Sequence, residues 1–303
     1  MHLLSAQAGA IQQEGEAIDL AQTPGAYVFA SSADSELAML AAAADRAGEN
    51  ELRLANILRL SNNLSVDLWL EKTVAHARLV VLRLIGGIAY FQYGVDELTA
   101  LCANRKIPLI LLPGDANPDP ILRDRSSVPP EAWSRLHSLF VAGGPENADT
   151  ILGVFRDLTP PLPSGEKSVA QQPGEGAFTP KPFARFGLWH PRTGMTDEAG
   201  LKGLHSAAAP AIPILFYRAA LEGAGTATIE ALIARLEAQG LAPVPLLVSS
   251  LKEGACVRFV QNALAAFPPA AIFNLTAFAL GVADLDEAAN PFSGCDAPVI
   301  QLV

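Results

Sequence analysis

The residues best suited to bind a ligand stand directly after the predicted strands. In the first half of the chain they are two glycines, two tyrosines and a carboxylate, namely Gly86, Gly87, Tyr90, Tyr93 and Asp115. In the second half they are an arginine and several hydroxyl and amide side chains, namely Arg218, Thr226, Ser249, Ser250, Asn274 and Thr276. Because open α/β sheets bind ligands at the carboxyl ends of their strands, both groups are binding candidates.

The residue types indicate what such a ligand would look like. Gly86 and Gly87 let the backbone approach a ligand closely, and the rings of Tyr90 and Tyr93 can stack on a flat conjugated system. Arg218 can pair with a carboxylate, and the hydroxyl and amide side chains suit amides. Structural roles explain the same residues: a sharp turn for the glycines, packing for the tyrosines, helix capping for Thr226 and the serines, and a surface charge for Arg218. None of the candidates is assigned as a catalytic base.

Several common catalytic and cofactor motifs are absent from the sequence. A phosphate-binding loop needs GxxxxGK followed by Ser or Thr, and the nearest segment, 165–168, has the wrong spacing. GxGxxG after the first strand, GxSxG, HExxH and paired cysteines are also missing. The histidines and cysteines are widely scattered: His2, His76, His137, His190, His205, Cys102, Cys256 and Cys295. We therefore predict neither an ATP site of the phosphate-loop type nor a metal site. We expect the three cysteines to be structural thiols.

Composition excludes other classes of protein. The 303 residues contain 21 Lys and Arg against 31 Asp and Glu, a net charge of −10, which disfavours binding to nucleic acid and to anionic membrane surfaces. No apolar run approaches the roughly 18 to 20 residues of a membrane-spanning helix. The first residues lack the basic and apolar regions of a secretory signal. We therefore expect a cytoplasmic protein that binds neither nucleic acid nor membrane.

Alternating strand and helix patterns predict an α/β fold. In the first half the predicted strands are 26–30, 52–60, 78–85 and 107–112, and the predicted helices are 34–47, 65–76, 95–104 and 147–156. In the second half the predicted strands are 212–217, 244–248, 271–275 and 298–303, and the predicted helices are 226–239 and 255–266. Continuously apolar strands separated by helices are typical of parallel sheets covered on both faces. The sequence thus predicts two doubly wound, flavodoxin-like parallel-sheet domains.

The domain boundaries follow from composition. Residues 159–185 are rich in Pro, Gly and small polar residues and are predicted to be a linker. It joins an α/β domain at 1–158 to a second α/β domain at 186–303. Because 298–303 reads as a core strand with no covering helix after it, we expect the second domain to be incomplete and the chain to be part of a longer protein.

Taken together, many short segments resemble one family, the large tetrapyrrole-binding subunit of aerobic cobaltochelatase, over its N-terminal region. In the first half these are Arg83–Gly87, Ala89-Tyr90, Tyr93-Gly94, Ile107–Leu109, Leu112–Asp115, Pro118–Pro120, and Gly143–Pro145 with Asn147. In the second half they are Ile214–Arg218, Thr226, Ile229, Ala231-Leu232, Val248–Lys252, Asn274 and Thr276–Ala279. They occur in the family's order along nearly the whole chain outside the linker.

The resemblance implies a role in aerobic cobalamin biosynthesis. The family inserts Co²⁺ into hydrogenobyrinic acid a,c-diamide, and ATP is hydrolysed by a separate ATPase motor subunit that works with a metal-ion-adhesion-type subunit. The fragment by itself would then bind no cofactor and be inactive. Three alternatives stay open: the related large subunit of magnesium chelatase, which acts on protoporphyrin, a non-catalytic two-domain small-molecule binder, and a scaffold that docks an ATPase.

Overall fold

The computed structural model describes residues 16–159, 179–276 and 290–302. The chain divides into two compact units. Of the described residues, the first unit comprises 16–159, 179–183 and 222–224, and the second comprises 184–221, 225–276 and 290–302. The predicted linker, 159–185, lies mostly outside the described residues, as do His2 and segment 165–168, so the predicted domain boundaries stay a prediction.

The first unit is a four-stranded parallel sheet with helices on both faces. Its strands are β1 (Tyr27–Ser31), β2 (Leu52–Asn56), β3 (Leu79–Leu84) and β4 (Leu109–Pro113). Its helices are α1 (Asp34–Ala47), α2 (Asn63–Lys72), α3 (Gln92–Arg105), α4 (Pro120–Asp124), α5 (Pro130–Ala142) and α6 (Pro145–Leu158). The strand order β2-β1-β3-β4 is that of the predicted doubly wound sheet.

Apolar strands hold the sheet between two cores. Every residue of β1, β3 and β4 is buried, as expected for strands that are covered on both faces. One core includes Trp69 of α2 and Leu98 of α3, and the other includes Met39 of α1 and Phe155 of α6. The sheet therefore holds its carboxyl edge, where β1, β3 and β4 end, in a fixed position.

Local signals decide where elements begin and end. The predicted strand 52–60 is wrong beyond Asn56, because the Asn56 side chain accepts a hydrogen bond from the backbone N–H of Leu58 at 2.9 Å and turns the chain into a 3₁₀ helix. Helix α5 was not predicted, since its sequence follows two prolines that indicate a loop. Trp133 fixes this helix on the sheet by donating its indole N–H to the carbonyl of Leu111 at 2.7 Å.

The second unit contains a six-stranded sheet that is mostly parallel. Its strands are β5 (Phe186–His190), β6 (Gly194–Thr196), β7 (Ala211–Tyr217), β8 (Ala242–Val248), β9 (Ile272–Asn274) and β10 (Val299–Gln301). Its helices are α7 (Glu198–Lys202), α8 (Ala227–Ala238) and α9 (Gly254–Ala266). The strand order is β10-β9-β7-β8-β5-β6.

The α/β class is confirmed in both units, with one addition in the second. Strands β7 to β10 form the predicted parallel set, but β5 pairs antiparallel with β8 and β6 pairs antiparallel with β5. Neither strand was predicted, because β5 starts beside the Pro/Gly-rich segment and β6 has only three residues. Among the described ranges, no helix combines the length and apolar character needed to cross a membrane.

Candidate functional site

The loop after β3 is shaped by its glycines. Gly86 and Gly87 have φ angles of 87° and 82°, in the left-handed region that favours glycine. The ring of Tyr90 lies directly against Gly86, so that a Cβ atom there would overlap it. Tyr90 is nevertheless 44% exposed. The glycine pair therefore makes a sharp turn and at the same time presents an aromatic ring to solvent.

The loops after β3 and β4 pack together. The Gly114 N–H donates to the carbonyl of Leu84 at 2.7 Å, and a Cβ atom on Gly114 would lie only 2.8 Å from the Cα of Ile85. The next residue, Asp115, is exposed, and its carboxylate accepts a hydrogen bond from the backbone N–H of Asn117 at 2.8 Å. The structure thus places Gly86, Gly87, Tyr90 and Asp115 at one edge of the first sheet.

Tyr93 makes a different contact. It lies on α3, and its hydroxyl donates to the Asp67 carboxylate of α2 at 2.7 Å. This hydrogen bond, with smaller contributions from burial and nearby negative charge, raises the pKa of Tyr93 to about 12. The hydroxyl is therefore engaged within the fold at this helix pair.

We expect that replacing Asp67 with alanine will lower the pKa of Tyr93 from about 12 towards 10. Because the pKa in the fold lies above the unfolded value, the interaction stabilises the protein fully below pH ~10 and is lost as the pH rises through about 12. A tyrosinate absorbance titration tests this, and the variant Tyr93→Phe identifies which transition belongs to Tyr93. Superimposable titrations of the Asp67→Ala and unchanged proteins would contradict the assignment.

A buried ionic cluster lies under this edge, and the sequence did not predict it. Arg83 is only 3% exposed, and its guanidinium donates to the carbonyls of Pro113 at 3.1 Å and Gly114 at 3.0 Å. A third nitrogen lies 3.3 Å from the carboxylate of Glu36, which also accepts a 2.7 Å hydrogen bond from the Ser31 hydroxyl. These residues join the ends of β1, β3 and β4 to the first turn of α1.

Burial acts in opposite ways on the two charged members of this cluster. It raises the pKa of Glu36, against the lowering effects of the Arg83 charge and the Ser31 hydrogen bond, while Glu222 adds a further upward effect. Burial lowers the pKa of Arg83, and the negative charge of Glu36 opposes that change. An arginine side chain stays protonated in proteins, so Glu36 is its main compensating charge, with smaller contributions from Asp115 and Glu222.

Exposed apolar side chains surround the same edge. We call this set the apolar rim: Leu58 (66% exposed), Leu64 (54%), Ile85 (42%), Tyr90 (44%) and Ile121 (62%). Each stands in a turn or helix that follows the carboxyl end of β2, β3 or β4. Large exposed apolar residues along one edge of a sheet indicate a surface that can bind an apolar partner or ligand. Of the five, only Tyr90 had been singled out from the sequence.

In the second unit, the candidates after β7 and β8 make local contacts. The backbone N–H of Arg218 donates to the carbonyl of Val248 at 2.9 Å and so ties the ends of β7 and β8 together. Thr226 stands at the start of α8, where its hydroxyl contacts Glu230 and makes no capping bond. Ser250 accepts a 3.2 Å hydrogen bond from the backbone N–H of Lys252.

Ser249 lies close to a carboxylate and to a thiol. Its hydroxyl is 3.4 Å from a carboxylate oxygen of Glu253 and 3.4 Å from the sulfur of Cys256. Glu253 also forms a 2.7 Å ion pair with Arg185. Cys256 is fully buried, so this cluster holds the start of α9 against the sheet.

Asn274 and Thr276 form a buried network. The Asn274 amide donates to Gln301 of β10 at 2.8 Å, and its oxygen accepts from the Thr276 hydroxyl at 2.7 Å and the Thr276 backbone N–H at 3.1 Å. Gln301 completes the network by donating to the Thr276 carbonyl at 2.7 Å. These two candidates are brought together, but their polar groups are directed at each other and at β10.

At the other edge of the second sheet, three potential metal ligands that are far apart in the sequence lie close together. His190 at the end of β5, His205 before β7 and Glu237 near the end of α8 each offer a ligand atom within 4.8 Å of the others. No signal in the sequence joins them, because their approach depends on β5 running antiparallel to β8.

The sequence is similar to those of known proteins over its whole length. The family model described as CobN/Magnesium Chelatase matches residues 137–303, more than half of the chain. The chain belongs to this family. It is 36% identical over 312 aligned residues to the aerobic cobaltochelatase subunit CobN of Sinorhizobium sp and 38% identical over 305 to that of Pseudomonas aeruginosa. Each alignment covers 100% of this chain but only 24% and 23% of the relatives, so the chain spans about a quarter of their length.

A solved structure supports the fold of this family member. The catalytic subunit of cobaltochelatase from Mycobacterium tuberculosis aligns with a TM-score of 0.60 at 23% identity. The alignment covers 91% of this chain and 21% of the other. At this identity the likeness concerns the fold alone.

Proposed function

We propose that this chain is the N-terminal part of the large subunit of an aerobic cobaltochelatase and that it helps to bind the corrinoid precursor. The observation that carries the proposal is the alignment of the whole chain, at 36% and 38% identity, with two relatives that bear the name aerobic cobaltochelatase subunit CobN. The substrate would be hydrogenobyrinic acid a,c-diamide and the inserted ion Co²⁺, in a cytoplasmic enzyme of cobalamin biosynthesis.

The carboxyl edge of the first sheet suits a tetrapyrrole. A corrinoid precursor presents a flat conjugated face, and the apolar rim offers exposed aliphatic side chains beside the ring of Tyr90. Beside Tyr90, Gly87 leaves open space where a side chain would stand, so the macrocycle can approach the backbone there. The buried pair of Arg83 and Glu36 beneath them fixes the loops, so the surface is formed before the ligand arrives.

The edge of the second sheet is a separate candidate surface, whose polar groups suit the peripheral carboxylates and amides of a corrinoid precursor. Arg218 is the candidate for a carboxylate, because a guanidinium matches the planar geometry of that group. Ser249 and Ser250 are partly exposed and can accept hydrogen bonds from amides. Asn274 and Thr276 support this edge from within, since both are buried and bonded to each other.

Metal insertion requires more chemistry than these residues supply. The ring nitrogens must lose protons and the ion must lose its water, which needs positioned bases in a closed cavity. We assign the chain a ring-holding role, with the base and the remaining cavity in other parts of the large subunit. ATP hydrolysis belongs to a separate ATPase motor subunit, assisted by a metal-ion-adhesion-type subunit.

The second candidate is the large subunit of magnesium chelatase, because the matching family model is described by both enzymes. The two functions differ in the ring that is bound, hydrogenobyrinic acid a,c-diamide or protoporphyrin. A titration with both compounds therefore separates them.

We expect hydrogenobyrinic acid a,c-diamide, and not protoporphyrin, to quench the tryptophan fluorescence of this chain saturably. Replacing Tyr90 with alanine should weaken binding about tenfold through lost stacking, whereas Tyr93→Phe should leave it unchanged. Arg218→Met should also weaken binding, with Arg235→Met on the exposed face of α8 as its matched control.

Each outcome of this titration has a defined meaning. Quenching by protoporphyrin alone would favour the magnesium enzyme. Quenching by neither ring would overturn the ring-holding role, while membership of the family would be unaffected. If Tyr90→Ala and Tyr93→Phe change the affinity equally, the carboxyl edge of the first sheet is not the binding surface.

A further inference from the structure

The cluster of His190, His205 and Glu237 has the composition of a transition-metal site. Imidazole nitrogen and carboxylate oxygen are the ligands that zinc and its neighbours take in proteins, and two histidines with one glutamate form a known ligand set. The three residues come from β5, from the segment before β7 and from α8, so the fold itself assembles the group. The site lies at the edge of the second sheet opposite to Arg218 and Ser249.

The distances fit one ion between the three side chains. His190 Nε2 lies 3.4 Å from Glu237 Oε1, and His205 Nδ1 lies 3.7 Å from the same oxygen. Bonds of about 2.0–2.2 Å in a tetrahedral arrangement place neighbouring ligand atoms about 3.3 Å apart. The two pairs that include Glu237 are therefore close to ligand spacing, and the ligand atoms of His190 and His205 lie within 4.8 Å of each other.

An unsatisfied buried nitrogen points independently to a ligand. His190 is 1% exposed, and its Nε2 faces Glu237 but has no hydrogen-bond partner of acceptable geometry among the described residues. Buried polar atoms in folded proteins almost always have such a partner. Burial, more than any nearby charge, lowers the pKa of both His190 and His205 and so favours the neutral rings that bind metals.

We propose that His190, His205 and Glu237 bind one divalent transition-metal ion, of the class of Zn²⁺ or Co²⁺. The ligands are His190 Nε2, His205 Nδ1 and Glu237 Oε1. A cavity of about 310 Å³, lined in part by His205, Ser206 and Glu237, leaves room for a water molecule as the fourth ligand. This inference goes beyond the proposed function, because it requires neither a tetrapyrrole nor a partner subunit.

Arg192 competes with the ion for Glu237. Its guanidinium donates to Glu237 Oε1 at 2.7 Å, and its side chain is about half exposed, so it can turn to solvent when the ion binds. The backbone N–H of Arg192 also approaches His190 Nδ1 at 3.3 Å, which leaves the ring proton on Nε2. On metal binding that proton moves to Nδ1 by way of solvent, and the long Arg192 contact is given up.

The test is a titration of the metal-free 303-residue chain with Zn²⁺ in the presence of a chromophoric chelator, repeated with Co²⁺ by visible absorbance. We expect one ion to bind and Co²⁺ to give the intense ligand-field absorption of a four-coordinate site. His205→Gln and Glu237→Gln should each weaken binding at least about a hundredfold, since even residues that only orient metal ligands change affinity about 10–100-fold. The exposed His76→Gln is the matched control and should leave affinity unchanged.

Replacing Arg192 with glutamine distinguishes a metal site from a cluster that only stabilises the fold. Removal of a positive charge beside the ion should tighten binding by about tenfold or more. The proposal is overturned if neither the unchanged chain nor Arg192→Gln binds an ion, or if His205→Gln binds as the unchanged chain does. Because no ring compound enters the titration, its failure would not bear on the corrinoid-binding role.

Discussion

Replacing Glu36 with glutamine is expected to lower the free energy of unfolding of the first unit by about 3–5 kcal/mol. The substitution keeps the shape of the side chain but removes the carboxylate paired with the guanidinium of Arg83, which is 3% exposed, and leaves only the weaker effects of Asp115 and Glu222. A buried charge that loses its partner cannot recover its hydration while the fold persists. Urea unfolding at pH 7, followed by the fluorescence of Trp69 and Trp133, measures the change.

A matched surface pair provides the control for this result. Arg46 and Asp149 are about half exposed and 2.7 Å apart, so Asp149→Asn should cost no more than about 1 kcal/mol. The double variant Glu36→Gln with Arg83→Met should be more stable than Glu36→Gln alone, because it removes the unpaired charge as well. Equal effects of Glu36→Gln and Asp149→Asn would mean that Glu36 is already neutral at pH 7.

Replacing Asn274 with alanine is expected to destabilise the second unit by about 2–4 kcal/mol. Asn274 is fully buried, and its loss removes the partners of the Thr276 hydroxyl, the Thr276 backbone N–H and the Gln301 amide oxygen. Each buried polar group left without a partner costs about 1–3 kcal/mol. The emission of Trp189 during urea unfolding reports on this unit.

The exposed Asn262 on α9 is the matched control for Asn274. Because Asn262 is exposed to solvent, we expect its replacement by alanine to change the free energy of unfolding by no more than about 0.5 kcal/mol. If Asn274→Ala and Asn262→Ala unfold at the same urea concentration, the buried network contributes nothing to stability.

The fold was predictable where residues signal it locally. Strands such as β3 and β4 are apolar along their whole length, and the helix of predicted range 147–156 is observed as α6, so strand-helix alternation predicted the parallel sheets. Helix α5 was missed because prolines precede it, although Pro at the first position of a helix is favourable. Strand β6 was missed because three residues carry no periodicity.

The site was only partly predictable for a different physical reason. The position of Gly86 and Tyr90 at the carboxyl edge of the sheet could be predicted, since both follow a clear strand; their role in binding stays a prediction. The buried ion pair could not be predicted from Arg83 alone, although an arginine within an apolar strand is unusual. Its partner Glu36 approaches it only because α1 packs on the sheet. The approach of His190 to His205 depends on an antiparallel strand pair that no local pattern revealed.

The strand order of the sheets has a consequence for how the chain folds. Neighbouring parallel strands are separated along the sequence by connecting segments, most of which contain a helix, so a long loop must close before any ladder of hydrogen bonds forms. The barrier to folding is therefore largely the entropy of loop closure. Among the described strands, β5 and β6 are the exception, because residues 191–193 join them directly. A hairpin of this kind closes in microseconds, which allows His190 and Arg192 to be positioned before the parallel strands have met.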